Sequence, residues 1–368
     1  MTEATPPTPG TEPSPSASPV PKWRDPATIA AVATITQVVL AAAAGSYLLN
    51  QLAPVLQPLL VAVFLAYVLM PYHTRLRKHI GSPASLATLA SVTGAVLMVL
   101  ALAVYASILG LSDELPQLQR RMGELSRAVE HFMAQTTPGW VTSADGQSTP
   151  LKLGDEVAKL TKPLLNLAAD TLLESCVVAL YLLFLLLEGS RFPDRVCQAY
   201  SPARAAAILD IAGQVSAAVV SYLKAKVKSS LVLAVPVGIV LWVVGVKFAL
   251  LWAILTFLCN FIPYIGSVVA YTLPVGFAFL WYGLRWEPLV AATLLLGCHV
   301  ASAAVIEPMI LGNAVGLSPL VILGSLAFWG LLWGLPGMFL AVPLTVVAVI
   351  VMDHFDSTRP AARLLSGR

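Results

Sequence analysis

The sequence predicts an all-α polytopic membrane protein of about eight transmembrane helices, and three observations carry that prediction. Of 368 residues, 58% are hydrophobic and only 11% are charged, whereas an ordinary soluble domain is about one quarter charged. Apolar runs long enough to cross about 30 Å of hydrocarbon recur along the chain. Pro and Gly then cut the C-terminal third into short apolar pieces, as in helices that break inside a membrane. Soluble cores do not enlarge to hide this much apolar surface, so the lipid bilayer is the expected solvent and first partner.

Residues 1–26 are rich in Pro, Thr and Ser and lack both the basic and the apolar regions of a signal peptide, so a disordered tail is expected. Three spans follow within 27–110, at 27–49, 55–71 and 83–109, and a fourth occupies 171–188. Lys22 and Arg24 precede the first span; Arg75, Arg77 and Lys78 follow the second; Arg191, Arg195 and Arg204 follow the fourth. Alternating spans put all three groups on one side, which the positive-inside rule makes the cytoplasm, together with the N-terminus.

Residues 111–170 then lie outside, with eight acidic groups against six basic ones. Within them Leu111, Leu115, Leu118, Met122, Leu125, Val129 and Phe132 repeat at alternating spacings of four and three, the seam of a helix that packs on another helix. Its expected partner is either a helix near 157–167 or a second subunit.

In 189–227, Ile208, Ile211, Val215, Val219 and Tyr222 share one helical face opposite Arg204, Gln214, Ser221 and Lys224, as in a helix lying on the cytoplasmic surface. Lys224, Lys226 and Lys228 follow at the start of the next span, where their stems can snorkel to the interface, and Lys226 marks its cytoplasmic mouth. The C-terminal block, 228–355, has just four formal charges between Ser229 and Met352: Lys247, Arg285, Glu287 and Glu307. Pro236, Pro263, Pro274, Pro308, Pro319, Pro336 and Pro343 interrupt it, so hairpins or discontinuous helices are expected, wherever protein or a wet cavity satisfies the freed backbone. Arg359, Arg363 and Arg368 in the tail, 356–368, favour a cytoplasmic C-terminus and an even number of crossings: eight, or six or ten as the short segments re-enter or cross.

Two places in this block carry chemistry. From Asn260 to Ser267, Pro263 and Gly266 break the helix beside an amide, the Tyr264 phenol and the Ser267 hydroxyl, groups suited to a cation or polar solute or to a wet turn at the membrane surface. Glu307, followed by Pro308, is an ionisable residue after a long uncharged run, expected to face a cavity, a partner or the interface. His299 lies about two helical turns earlier on the same face and reads as a packing residue or a proton relay. Gly330, Gly334, Pro336 and Gly337, interleaved with Trp329 and Trp333, read as close helix packing with a bend.

Cys176, Cys197, Cys259 and Cys298 have no metal or disulfide spacing and read as small core residues. A net charge of +3 without a basic run outside the membrane flanks gives no reason to expect a nucleic-acid partner. The sequence lacks a nucleotide-binding loop, a nucleophile elbow, a zinc-hydrolase motif and paired catalytic carboxylates, so no cofactor, metal or enzymatic activity is expected. Transport would then be secondary or passive.

Asn260 to Ser267, Glu307-Pro308 leading to Gly312, Gly316-Leu317-Ser318-Pro319-Leu320, Ser325-Leu326, Phe328-Trp329-Gly330, Trp333-Gly334, Gly337-Met338 and Ala341-Val342-Pro343-Leu344-Thr345 follow one another in an order and spacing that resembles the autoinducer-2 exporter family of bacterial permeases, in its quorum-signal-transporter branch. The resemblance covers about 27–355, Lys226 included. It implies a bacterial inner-membrane protein of eight spans that tends to homo-oligomerise and moves a small polar solute such as a quorum signal, or exchanges sodium for protons. It also brings Ser318 into the candidate site with Asn260, Pro263, Tyr264, Gly266, Ser267, Glu307 and Pro308. Where related chains carry Gly-Asn before the Glu-Pro pair, this one has Ala303-Ala304, a departure that bears on cargo rather than fold. A non-transporting oligomeric scaffold that uses the external seam is the third reading.

Overall fold

The structure is a computed structural model that describes residues 26–136, 161–189, 191–283, 285–311 and 316–367. It is all-α: among the described residues, eight helices are long and apolar enough to cross a membrane, and the one extended pairing is an isolated bridge between Leu317 and Ser366. The expected N-terminal tail lies outside the described residues. The chain divides into two compact units, Met1–Leu52 and Ala53–Arg368. The described part of the first is a single helix, α1 (Pro26–Gln51).

The second unit begins with α2 (Ala53–Ile80), α3 (Ser82–Thr136) and α4 (Thr161–Gly189). They pack through Ala62, Leu86, Val178, Leu182 and Leu186, with small Ala62 letting the helices approach. At 55 residues, α3 is about 82 Å long at 1.5 Å per residue, more than twice a hydrocarbon core. Three members of the expected seam, Leu111, Leu118 and Met122, pack with Val246, Phe248, Trp281 and Tyr282 later in the chain. These three seam residues therefore have an intrachain partner in the C-terminal block. The side chains of Leu115, Leu125, Val129 and Phe132, and residues 137–160, lie outside the described part.

After a short α5 (Phe192–Ala199), α6 runs unbroken from Pro202 to Val244. The separate surface helix and fifth span expected from the lysine cluster are one helix. No Gly or Pro lies between Lys224 and Leu233, and one buried stripe, Val215, Val219, Tyr222, Lys226, Ser229, Leu233, Val237 and Leu241, continues through the junction at helical spacing. Gly245 ends the helix in the left-handed conformation (φ 83°), and the Val246 amide returns to the Leu241 carbonyl at 2.8 Å.

Two hairpins pack beside α6. The first joins α7 (Ala249–Cys259) to α8 (Ile265–Tyr282). With 11 residues, α7 spans about 16 Å and cannot cross hydrocarbon. The Tyr282 hydroxyl donates to the Gly245 carbonyl at 2.7 Å, closing the base of this hairpin against the C-terminal end of α6. The second hairpin is α11 (Pro319–Asp353), which reverses at Gly334 (φ 64°, ψ −141°) into arms 319–333 and 335–353. A Cβ placed on Gly330 would lie 3.0 Å from the Met338 side chain, whereas eight residues of straight helix separate their ends by about 12 Å. The bend read from the sequence at these glycines is a full reversal.

A terminal helix, α12 (Arg359–Leu365), straps the base of the second hairpin: the Gly367 amide reaches the Gly316 carbonyl at 3.0 Å and the Ser318 amide reaches Leu365 at 3.4 Å. That base shares a cleft with Gln214, Ala217 and Ala218 of α6, about 40 Å along the helix from Gly245. The two hairpins thus enter from opposite ends of α6, and they meet between, where the Phe261 and Phe339 rings stack at 4.7 Å. Cys176 and Cys197 are exposed and Cys259 and Cys298 half-buried, so the first two are surface rather than core residues.

Candidate functional site

The crossing that follows the first hairpin has three parts: α9 (Trp286–Ala301), a π-turn (Ser302–Ile306) and α10 (Glu307–Leu311). Proline at position 308 has no N–H and would clash with the carbonyl one turn earlier. The wider π-turn placed just before it relieves that clash and swings Glu307 toward α6.

There the Lys226 ammonium donates to a Glu307 carboxylate oxygen at 2.5 Å, across 81 positions of sequence. The Lys226 side chain is 2% exposed and that of Glu307 29%. Lys226 was expected to snorkel outward. Instead it sits on the buried stripe of α6, where only a counter-ion makes an ammonium tolerable. The Tyr222 phenol lies one turn earlier on the same stripe and is buried.

One turn in the other direction, the Ser230 hydroxyl accepts from the Asn260 side-chain amide at 3.0 Å, and both residues are buried. Asn260 opens the tip of the first hairpin. The tip closes because Gly266 has no side chain: a Cβ there would lie 1.7 Å from the Cys259 carbonyl oxygen. Thus α6 holds one polar group of the hairpin tip and one of the π-turned helix four residues apart, on a single face.

The other expected site residues are dispersed. Pro263 and Ser267 are half-buried in the tip, while Tyr264, whose φ is positive (64°), is exposed. Pro308 is exposed. Ser318 caps the second hairpin, its hydroxyl accepting the Val321 amide at 3.3 Å, and belongs to the strapped base. His299 is 8% exposed, edge-on to the Tyr271 ring at 5.8 Å. Sequence reasoning missed Ser230 and the pairing of Lys226 with Glu307. The available signal was helical spacing, since Tyr222, Lys226 and Ser230 fall four apart.

Chemically, the arrangement offers a self-neutralised ion pair flanked by an amide–hydroxyl pair and a phenol. It is rich in donors and acceptors without net charge, and lies where the tip of the first hairpin and a π-turned helix meet one face of α6.

The family model described as AI-2E family transporter matches residues 36–357. The chain is 31% identical to the AI-2 transport protein TqsA of Escherichia coli K12 over 317 residues, 85% of this chain and 90% of TqsA. It is 29% identical to YhhT of the same organism over 320 residues, 85% and 88% of the two chains. It is also 31% identical to MT0215 of Mycobacterium tuberculosis over 303 residues, 81% and 82% of the two chains. The names of the last two give transport without a cargo.

Proposed function

This chain belongs to the AI-2E transporter family and is a multi-pass membrane permease, and from that premise we propose that its cargo passes the Lys226–Glu307 pair and the Ser230–Asn260 pair on α6. The observation that carries the reading is a lysine 2% exposed on the buried stripe of a long helix, held to a carboxylate of a π-turned one. Such a pair is expensive to desolvate and adds little stability over apolar packing. Its presence fits a group that exchanges partners: cargo takes one of the two charges, and the other turns to the amide, hydroxyl or phenol nearby. The hairpins entering from opposite ends supply elements that move against α6 while backbone groups stay satisfied by protein. No catalytic role is assigned to any residue.

The protein works as a secondary transporter of a small polar solute in the bacterial inner membrane, with both termini cytoplasmic as the basic flanks indicate. TqsA's name makes autoinducer-2 the first cargo to test. In reconstituted vesicles Glu307→Gln should reduce cargo flux at least tenfold, while Asn260→Ala reduces it less. Unchanged flux in Glu307→Gln removes the assignment. Sodium/proton exchange is the second reading, favoured by a carboxylate that already carries a tethered cation; it requires sodium movement driven by a proton gradient without organic cargo. A scaffold using the external seam has less support, because Leu118 packs into the protein's own core.

A further inference from the structure

Along the buried face of α6, two levels beyond the ion pair hold polar atoms that the described protein groups leave without hydrogen-bond partners. They are the Tyr222 hydroxyl, the Ser229 hydroxyl, the Thr256 hydroxyl and both ring nitrogens of His299. Helix register places them at neighbouring levels along α6. Asn260 bonds Ser230, and a Cβ on Gly238 would touch Ala253 at 2.9 Å, so α7 runs antiparallel to α6 and Thr256 lies level with Ala234. Glu307 bonds Lys226, and Leu295 shares a core cluster with Val237, so α9 is antiparallel too and His299 lies level with the same turn of α6. From Thr256 and His299 past Ser229 and the Lys226–Glu307 pair to Tyr222 is about twelve residues of α6, or ~18 Å.

We infer that these polar atoms form one column, a binding site for a file of water molecules, opening at the partly exposed Glu307 carboxylate and ending at His299 and Thr256. Five buried polar atoms left dry would together offset much of an ordinary domain's stability. The atoms are hydroxyls and an imidazole, which both donate and accept, as water requires. Interior waters are held in this way, by two to four polar partners each. At hydrogen-bond spacing the column takes on the order of five. Apolar Val237, Leu241 and Leu295 fill the helix contacts above His299, which closes the file at that end.

The consequence for transport rests on the reading of the ion pair as the cargo site: water in the file lets Lys226 and Glu307 part without leaving either charge dry. The site itself stands without that reading. It is tested on the full-length protein in lipid nanodiscs by millisecond hydroxyl-radical labelling with mass spectrometry, which marks buried side chains that touch bound water. His299 and Tyr222 should be oxidised at least tenfold faster than Phe277, equally buried but packed in the apolar cluster. Thr256→Val with Ser229→Ala should lower His299 labelling several-fold while leaving thermal unfolding and Tyr222 labelling nearly unchanged. Labelling of His299 and Tyr222 at the Phe277 rate overturns the water file whatever the flux assays show. Rapid labelling together with normal cargo flux in Glu307→Gln keeps the file and removes the cargo site.

Discussion

The Lys226–Glu307 ion pair makes a quantitative prediction about which half of it matters more for stability. Removing Glu307, by Glu307→Ala, leaves an ammonium on a side chain 2% exposed; removing Lys226, by Lys226→Met, leaves a carboxylate 29% exposed that can turn toward solvent. Stranding one member of a buried pair costs about 3–5 kcal/mol. Glu307→Ala should fall in that range, and Lys226→Met below it, near 2 kcal/mol, because Glu307 retains partial access to water. The double variant Lys226→Met/Glu307→Ala strands nothing and should lie within about 1 kcal/mol of the milder single variant, giving a coupling of at least ~2 kcal/mol in a double-mutant cycle. Reversible unfolding in mixed micelles, followed by tryptophan fluorescence, measures all four forms. Additive losses would refute the claim that the two charges depend on each other. A larger loss in Lys226→Met than in Glu307→Ala would refute the burial argument even if coupling is found.

Other outcomes follow from the hairpins and the far end of α6. Gly266→Ala places a methyl carbon 1.7 Å from the Cys259 carbonyl, so the tip of the first hairpin should fail to close and the protein should unfold at a Tm lower by ten degrees or more. Gly334→Ala keeps its space but must hold φ 64° and ψ −141°, a region nearly restricted to glycine; a loss of about 1–3 kcal/mol is expected by the same unfolding assay. Asn260→Ala removes the bond to Ser230 and should destabilise by roughly 1–2 kcal/mol, with tip cysteines introduced at Tyr264 reacting faster with a thiol reagent. Lys247 pairs with Glu114 at 2.6 Å and sits over the Trp281 ring at 4.3 Å, yet it is 41% exposed, so Glu114→Gln should change stability by less than about 1 kcal/mol, less still in high salt.

Composition alone carried the class of fold, because burying that many apolar residues needs lipid whatever their arrangement. The break at Pro263 and Gly266 was legible because those residues act on their own backbone. The reversal at Gly334 was half legible: glycine and proline announce a bend, but its angle depends on Met338 and Trp329 packing across it. The lysine cluster misled for a physical reason. Lys224 and Lys228 are exposed, as membrane-flanking lysines usually are, and only Lys226 turns inward on the stripe. Its partner lies 81 positions away, and nothing local to either residue encodes that distance. Ser229 and Thr256 went unnoticed because an apolar helix tolerates a hydroxyl in many ways that have nothing to do with a site.

The reversal at Gly334 also bears on how the protein is made. A helix turned back on itself inside hydrocarbon exposes carbonyls that lipid cannot satisfy, and the carbonyl of Trp333, at the turn, is met by the Gln57 side chain of α2 at 3.5 Å. The second hairpin therefore depends on α2 for one of the carbonyls its reversal exposes. It would be the last piece to settle, folding into a socket built by chain synthesised well before it. Ribosomes stalled before residue 319 should leave that socket unfilled, and such nascent chains should be unusually open to membrane proteases.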